Sequence, residues 1–422
     1  MADVDAHGAG LPDGARFVAP PRGATPAWSP GRPAPATADL DTCVACGLCL
    51  PHCPTYRLTG EESASPRGRI AAIRAVDEGI AEVDRTFAGF MDACLVCRAC
   101  EDVCPSHAPF GRMMEAAREQ IEPSRGRVAR FRRWVGFHWI LPHPSAIRAA
   151  AVLQPVARPF MRRRVRALVP RRAHPFARLP RVTAPTAGVA ERGTVALLAG
   201  CAQDRWFHDV NRATIRVLAA TGWRVTVPRG QACCGALAAH NGRLAVADRL
   251  RTRAASAFAG ADTVVVNAAG CSAHLQEGPL ASVDLMRFLA QEGPGEATFA
   301  SLERTVAYHD ACHALRAQGI AAEPRAVLGW VPGLRVTEIP GGDRCCGAAG
   351  IYNLTQPDLA DRLQAQKADG VRATGVSIVA SANPGCSMQI AAGLAGSARP
   401  VEVVHPVELL DRALVTSGGR SP

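Results

Sequence analysis

Cys43-Val-Ala-Cys46-Gly-Leu-Cys49-Leu-Pro-His-Cys53-Pro54 and Cys94-Leu-Val-Cys97-Arg-Ala-Cys100-Glu-Asp-Val-Cys104-Pro105 carry one spacing twice, Cys-x2-Cys-x2-Cys-x3-Cys-Pro. Three thiolates two residues apart can wrap one face of a four-iron cube from a single tight loop. The fourth cysteine starts a new chain direction, which the following proline enforces by fixing its backbone angle. In two-cluster proteins of this spacing the fourth cysteine serves the other cluster. The rule assigns Cys43, Cys46, Cys49 and Cys104 to one [4Fe-4S] cluster, and Cys94, Cys97, Cys100 and Cys53 to a second. Structural zinc is a poorer match, because zinc sites use separated Cys-x2-Cys or Cys/His pairs. A disulfide framework is not needed by a chain of 422 residues.

Working outward, residues 39–122 form the first expected unit. Pro66-Arg67-Gly68-Arg69-Ile70 leads into the helical pattern Ile70, Ile73, Ala75–Val76, Ile80, and a second helix is expected over Arg112–Ile121, stopped by Pro123. The unit reads as a small helical ferredoxin-like domain whose thin core depends on its clusters. Arg67 and Arg69 can tune cluster potential through charge, or can be surface residues at a helix start. Residues 1–38, rich in Gly, Ala and Pro, read as a flexible tail rather than a signal peptide. Apolar residues make up 48% of the chain and no apolar run reaches the length of a membrane span. These features, with sixteen cysteines and no export signal, predict a cytoplasmic protein.

The net charge of +11 is confined to one stretch. Residues 123–190 hold fifteen Arg and no acid, so the remainder carries −4. A binding surface for nucleic acid would not confine its charge to a linker, so that class is disfavoured. Within the expected linker, 123–192, Arg130–Trp139 mixes Arg with Phe131, Trp134, Phe137 and Trp139 at helical spacing, and Ala157–Val169 contains Arg162-Arg163-Arg164. These segments are either solvated helices or a peripheral contact with anionic lipid or an acidic partner.

The last 230 residues repeat. Cys201, Cys233-Cys234-Gly235 and Cys271 recur as Cys312, Cys345-Cys346-Gly347 and Cys386, at offsets of 111, 112 and 115 residues. Strands are expected over Thr194–Leu198, Arg224–Val227, Thr263–Asn267, Thr305–Tyr308, Leu334–Ile339, Ser377–Ser381 and Val401–Val404, with helices over Val210–Leu218 and Leu237–Phe258. Such alternation predicts parallel sheets in two duplicated α/β cysteine-rich domains, 193–298 and 299–422, so that the whole chain is an α+β multi-domain protein. Every repeat cysteine lies just beyond a strand, so the four thiols of each half are expected to converge at one sheet edge as a metal or redox site. Buried core cysteines are the plainer alternative. His309-Asp310 and His313 flank Cys312. Histidine there can orient a ligand or relay a proton, and Asp310 can equally be a helix cap. No dinucleotide fingerprint, phosphate loop or nucleophile elbow is present, so two-electron chemistry belongs to another subunit.

Read together, the two cubane motifs, Pro66-Arg67-Gly68-Arg69-Ile70 and the Cys-Cys-Gly repeats resemble the iron–sulfur subunit of glycolate oxidase (glycolate dehydrogenase) over residues 39 to about 415. The repeats also resemble the cysteine-rich domains of heterodisulfide reductase. The resemblance implies FAD-binding flavoprotein partners that oxidise glycolate to glyoxylate. It also implies an electron-transfer role for this chain towards the membrane quinone pool, at the inner face of the membrane, without binding the organic substrate. Iron–sulfur subunits of lactate and anaerobic glycerol-3-phosphate dehydrogenases are similar. The heterodisulfide reductase relatives end each domain in Cys-x-x-Cys, whereas His274 and Gln389 stand at those positions here. That departure disfavours a heterodisulfide-reductase-like catalytic role and leaves four cysteines per half for a further iron–sulfur centre.

Overall fold

In the computed structural model, residues 26–397 and 399–415 are described. The cluster-motif unit is helical. Its central helix, Pro66–Asp77, is capped by Ser65, whose side chain accepts from the Gly68 N–H. Gly68 is required by space: a Cβ there would lie 2.0 Å from the Glu62 carbonyl oxygen. Ile70, Ile73 and Val76 fall on one face of this helix. They pack with Phe87 and Met91 of Arg85–Asp92 and with Met113 and Met114 of Phe110–Gln120. Residues 26–36, expected to belong to a flexible tail, are docked on this core. Trp28 donates to Asp77 at 2.8 Å and stands edge-on to Phe87, and Arg32 pairs with Glu119 at 3.0 Å. The tail expectation for residues 1–25 lies outside the described residues.

Two sheets follow. The first has the order β1-β3-β2-β4-β5, with β1 Val182–Thr183, β2 Gly193–Leu198, β3 Trp223–Thr226, β4 Val264–Val266 and β5 Ser282–Asp284. All its pairings are parallel except β1 with β3. The second is all parallel in the order β7-β6-β8-β9, with β6 Arg304–His309, β7 Leu334–Glu338, β8 Ile378–Ser381 and β9 Glu402–Val404. Apart from β1, the second sheet repeats the first strand for strand.

The halves share one core. Val195, Leu197 and Leu218 of the first pack in the same cluster as Val306, Tyr308 and Leu410 of the second. The helix His208–Ala220 packs on Pro406–Ala413, and reciprocally Glu323–Leu328 packs on Leu285–Glu292. Arg216 and Asp411 close the first contact as a two-armed ion pair. This exchange gives the duplicated halves an internal pseudo-two-fold relation.

Two expectations need correction. The single helix expected over Leu237–Phe258 is two, Ala236–Ala239 and Leu244–Ala257. The break is at Gly242, where φ is +65° and a Cβ would lie 2.3 Å from the Arg118 carbonyl carbon. The chain bends there because the ferredoxin-like unit presses against it. The basic linker is also not merely solvated. Phe137 and Leu141 are buried in the core of the first cysteine-rich unit, and Arg133 pairs with Glu122 at 2.9 Å.

Candidate functional site

The two cubane motifs fold into matching loops. Ala45 and Gly47 in the first, and Val96 and Arg98 in the second, all have φ between +51° and +83°. These are equivalent positions, and each left-handed residue turns the chain so that the flanking cysteines point inward. Val96 is β-branched and strained in that region, which persists only where surroundings over-determine it.

One cavity is lined by Cys43, Cys46, Cys49 and Cys104, with Cys100 also at its wall. The other is lined by Cys53, Cys94, Cys97 and Cys100. Backbone N–H groups aim at sulfur in both, Ala108 at Cys104 (3.5 Å) and Val96 at Cys94 (3.3 Å), and Thr55 Oγ1 lies 3.2 Å from the Cys53 sulfur. Donors of this kind stabilise thiolate ligands. Burial pushes the Cys97 and Cys100 thiols well up, so they ionise only against a positive centre. The donor set, the loop curvature and the N–H···S contacts all fit four-iron clusters.

Arg67, half-buried, pairs with Glu62 and reaches the Ala45 carbonyl at 3.3 Å, bracing the first loop. Arg69 is not a surface residue. It is buried against the second cavity, donating to the Phe90 carbonyl (2.7 Å) and to Thr55 Oγ1 (3.2 Å). Arg118, unnoticed in the sequence, is also buried and donates to the carbonyls of Met91, Cys94 and His240, tying the second loop to the repeats.

The cavities differ in setting. Cys46 is exposed, and Val44 and Leu48 beside it stand out into solvent. Cys53, Cys94, Cys97 and Cys100 are all buried. Cys97 packs with Leu95, Tyr352 and Cys345 in one apolar cluster that Cys312 flanks. The Tyr352 hydroxyl, donating to the Ala93 carbonyl at 3.0 Å, pins this contact.

The repeat cysteines form two groups at the carboxyl edges of the sheets. Cys201 follows β2, Cys233-Cys234 follow β3, and Cys271 lies in the helix Ala269–Gln276 after β4. The neighbouring Cys233 and Cys271 thiols hold the Cys234 thiol well below the usual range. Cys312, Cys345-Cys346 and Cys386 occupy the matching places, and the Cys345 thiol and burial push Cys312 well up. Both Cys-Cys-Gly glycines are forced. Gly235 and Gly347 have φ of +101° and +86°, and a Cβ on either would lie 2.8 Å from a helix carbonyl, Ala247 or Ala360. The loops before the final cysteines meet across the pseudo-dyad, where Ala269 N–H donates to the Ala382 carbonyl at 3.1 Å.

Of the flanking residues, Asp310 does not cap a helix. It forms a two-armed pair with Arg325 at 2.6 and 2.9 Å, and Arg325 also covers the Tyr308 ring. His313 Nδ1 lies 3.7 Å from the Cys312 sulfur, and its ring lies 4.8 Å from that of His240, which bonds Glu115 at 2.7 Å. His309 is buried beside Cys346 and Cys386. Lys367, the single lysine of the chain, is buried near the second group and donates to the Gly341 and Gly342 carbonyls. Burial pushes its pKa down while the nearby sulfurs of Cys346, Cys345 and Cys386 pull it up, a placement that helical periodicity could not signal.

A 4Fe-4S dicluster domain family model matches residues 39–108, and a cysteine-rich domain model matches residues 195–276 and 306–391. The chain is therefore an iron–sulfur protein that binds two [4Fe-4S] clusters. It is 32% identical to the probable glycolate oxidase iron-sulfur subunit of Bacillus subtilis (strain 168), covering 88% of this chain and 93% of that one. It is also 32% identical to the glycolate oxidase iron-sulfur subunit of Escherichia coli (strain K12), covering 90% and 95%. Lactate utilization protein A of Bacillus subtilis (strain 168) is 29% identical over 51% of this chain and 98% of its own. Identity of 32% over about nine-tenths of this chain and of each relative makes this chain a member of the glycolate oxidase iron–sulfur subunit family.

Proposed function

We propose that this chain is the electron-relay subunit of a glycolate-oxidising complex. It accepts electrons from an FAD-bearing flavoprotein subunit that converts glycolate to glyoxylate, and delivers them towards the quinone pool. The observation that carries this is the serial setting of the two cavities, one opening at the surface by Cys46 and the other buried against Cys312 and Cys345. Cys43, Cys46, Cys49 and Cys104 hold the outer cluster, and Cys94, Cys97, Cys100 and Cys53 the inner one. Each cubane, when bound, takes up and releases one electron at a time. The protein's own part is to set the environment: exposure at Val44 and Leu48 gives a partner access, while burial and Arg69 set the inner site. No organic substrate site is assigned to this chain.

The test is anaerobic reconstitution with the co-purifying flavoprotein. Glycolate should reduce both clusters, and Cys97→Ser should remove one reduced-cluster EPR signal and stop delivery to a quinone analogue. An unaltered spectrum in Cys97→Ser would contradict the ligand set. The similarity to lactate utilization protein A favours a second reading in which the partner oxidises lactate. Which acid reduces the complex decides between them.

Among the described residues no helix is long and apolar enough to cross a membrane. Exposed Phe131 (64%) and Trp139 (58%) on the Arg-rich segment 127–140 support a peripheral contact with an anionic bilayer at the inner membrane face. Of the Arg162-Arg163-Arg164 run, Arg164 is engaged with Asp361 at 2.8 Å. The aromatic segment is therefore the place to test. Arg130→Glu with Trp139→Ser should reduce salt-sensitive sedimentation with phosphatidylserine vesicles, and unchanged sedimentation would reject the contact.

A further inference from the structure

Each half of the repeat buries a histidine with an unsatisfied ring nitrogen beside its Cys-Cys-Gly turn, and these two are not at equivalent positions; His313, whose Nε2 is also unpaired, instead turns its Nδ1 to the Cys312 sulfur at 3.7 Å. In the first half it is His274, three residues beyond Cys271 on the helix Ala269–Gln276. Its Nε2 has no hydrogen-bond partner, and a Cβ on Gly235 would lie 3.0 Å from that nitrogen. The nitrogen therefore abuts the turn that carries Cys234. Its counterpart in the second half, Gln389, is engaged elsewhere, accepting from Asn353 at 3.0 Å and donating to the Ala360 carbonyl at 3.4 Å.

In the second half the histidine is His309, the last residue of β6. One ring nitrogen and the sulfurs of Cys346 and Cys386 all lie within 4.8 Å of one another. His309 is 1% exposed, and neither ring nitrogen closes a hydrogen bond of normal geometry, although the Gly342 backbone approaches. Its counterpart in the first half is Leu198, the last residue of β2, buried in the apolar core. Leaving a buried imidazole nitrogen unsatisfied costs free energy that a bound cation would remove. Packing alone gives no reason for that cost to recur beside both thiol groups.

We propose that each cysteine-rich half holds a thiophilic metal centre with mixed sulfur and nitrogen donors, completed by His274 in the first half and His309 in the second. The sulfur donors are Cys201, Cys233, Cys234 and Cys271 in one, and Cys312, Cys345, Cys346 and Cys386 in the other. The inference rests on the reading that the Cys-Cys-Gly cysteines bind metal at all. Four thiolates and one imidazole suit iron in a cluster, whereas a single zinc ion, being four-coordinate, would take the imidazole with three of the thiolates. A neutral imidazole in place of an anionic thiolate makes the centre less negative, which raises the potential of an iron–sulfur centre. Thus each half replaces the missing fifth thiolate, but from a different element.

The experiment uses the full chain purified anaerobically, with iron, sulfide and zinc counted per chain. Metal beyond the roughly eight irons of two cubanes is expected, and Cys234→Ser and Cys346→Ser should each lower that excess by about half. His274→Ala and His309→Ala should each lower it in their own half. His274→Cys and His309→Cys should retain it. In the unmodified chain, pulsed EPR with 14N- and 15N-labelled histidine should detect nitrogen coupling at an iron centre outside the cubanes. If the excess is zinc, zinc-edge X-ray absorption should find nitrogen among sulfur scatterers. No metal beyond the cubanes overturns both the metal reading and the histidine assignment. An excess lost in the cysteine variants, with intact levels in the alanine variants and no nitrogen in the coordination sphere, overturns the histidine assignment alone.

Discussion

His405 shows what burial does to an ionisable side chain away from any cysteine. It caps the helix Pro406–Ala413, its Nδ1 accepting from the Val407 N–H at 3.1 Å, so the ring must be neutral to do its work. Burial pushes its pKa down to about 3, against about 6.5 in an unfolded chain. The folded state therefore binds the proton less readily. Stability from this group is complete above about pH 6.5 and is lost as pH falls towards 3, at up to about 1.4 kcal/mol per pH unit. Urea melts between pH 4 and 8 should show this slope, and His405→Asn, which keeps a capping acceptor, should flatten it; parallel slopes would reject the assignment. Gly235 and Gly347 make a second prediction at this scale. Alanine at either adds a left-handed backbone and a clash with the Ala247 or Ala360 carbonyl. The backbone strain alone should cost about 1–3 kcal/mol, read as a lowered unfolding midpoint in each single variant. The sequence displayed these glycines and their cysteines plainly, because Cys-Cys-Gly has no packing rationale. It hid the burial of Arg69, Lys367 and Arg118, because nothing local tells a buried cation from a solvated one.

At the scale of elements, the strands that carry cysteines were legible because continuous apolar runs such as Val195–Leu198 mark buried parallel strands. The strands β1 and β5 were not, being two and three residues long and only partly buried. The bend at Gly242 was missed for a different reason, since its cause is Arg118, more than a hundred residues away in sequence. The basic linker looked solvated because its charge was visible and its partners were not. Those partners centre on Glu122, whose side chain is 3% exposed and meets Arg125, Arg133 and Arg243. One carboxylate thus joins the ferredoxin-like unit, the linker and the first cysteine-rich unit. Glu122→Gln leaves Arg133 and Arg243 facing a neutral amide, while Arg125 keeps its two-armed pair with Asp92, and breaking a buried pair of this kind costs about 3–5 kcal/mol. Anaerobic urea unfolding should show that loss, together with faster tryptic cutting in 123–192; an unchanged midpoint would mean that the arginines find water instead.

At the scale of the whole molecule, the pseudo-two-fold relation is broken by the ferredoxin-like unit. The repeat makes the two cysteine groups look interchangeable in sequence, and spacing along the chain cannot say which one the inner cubane meets. The fold decides it. Cys97 packs against Cys345 beside Cys312, and those two sulfurs feel its charge, whereas the first half meets this unit through polar contacts of Arg118, Glu115, Glu119, Glu122 and Glu277. Electrostatic coupling in a buried, low-dielectric contact falls with distance, so the environment of the inner cluster should report on one half only. Cys312→Ser and Cys345→Ser should each shift the EPR line shape and midpoint potential assigned to the cluster that Cys97→Ser removes. Cys201→Ser and Cys233→Ser should leave both unchanged, with the outer cluster unaffected throughout as an internal control. Equal shifts from both halves would mean that the contact at Tyr352 does not direct electrons. Shifts from the first half alone would place the coupling on the side of the linker and its exposed aromatic segment.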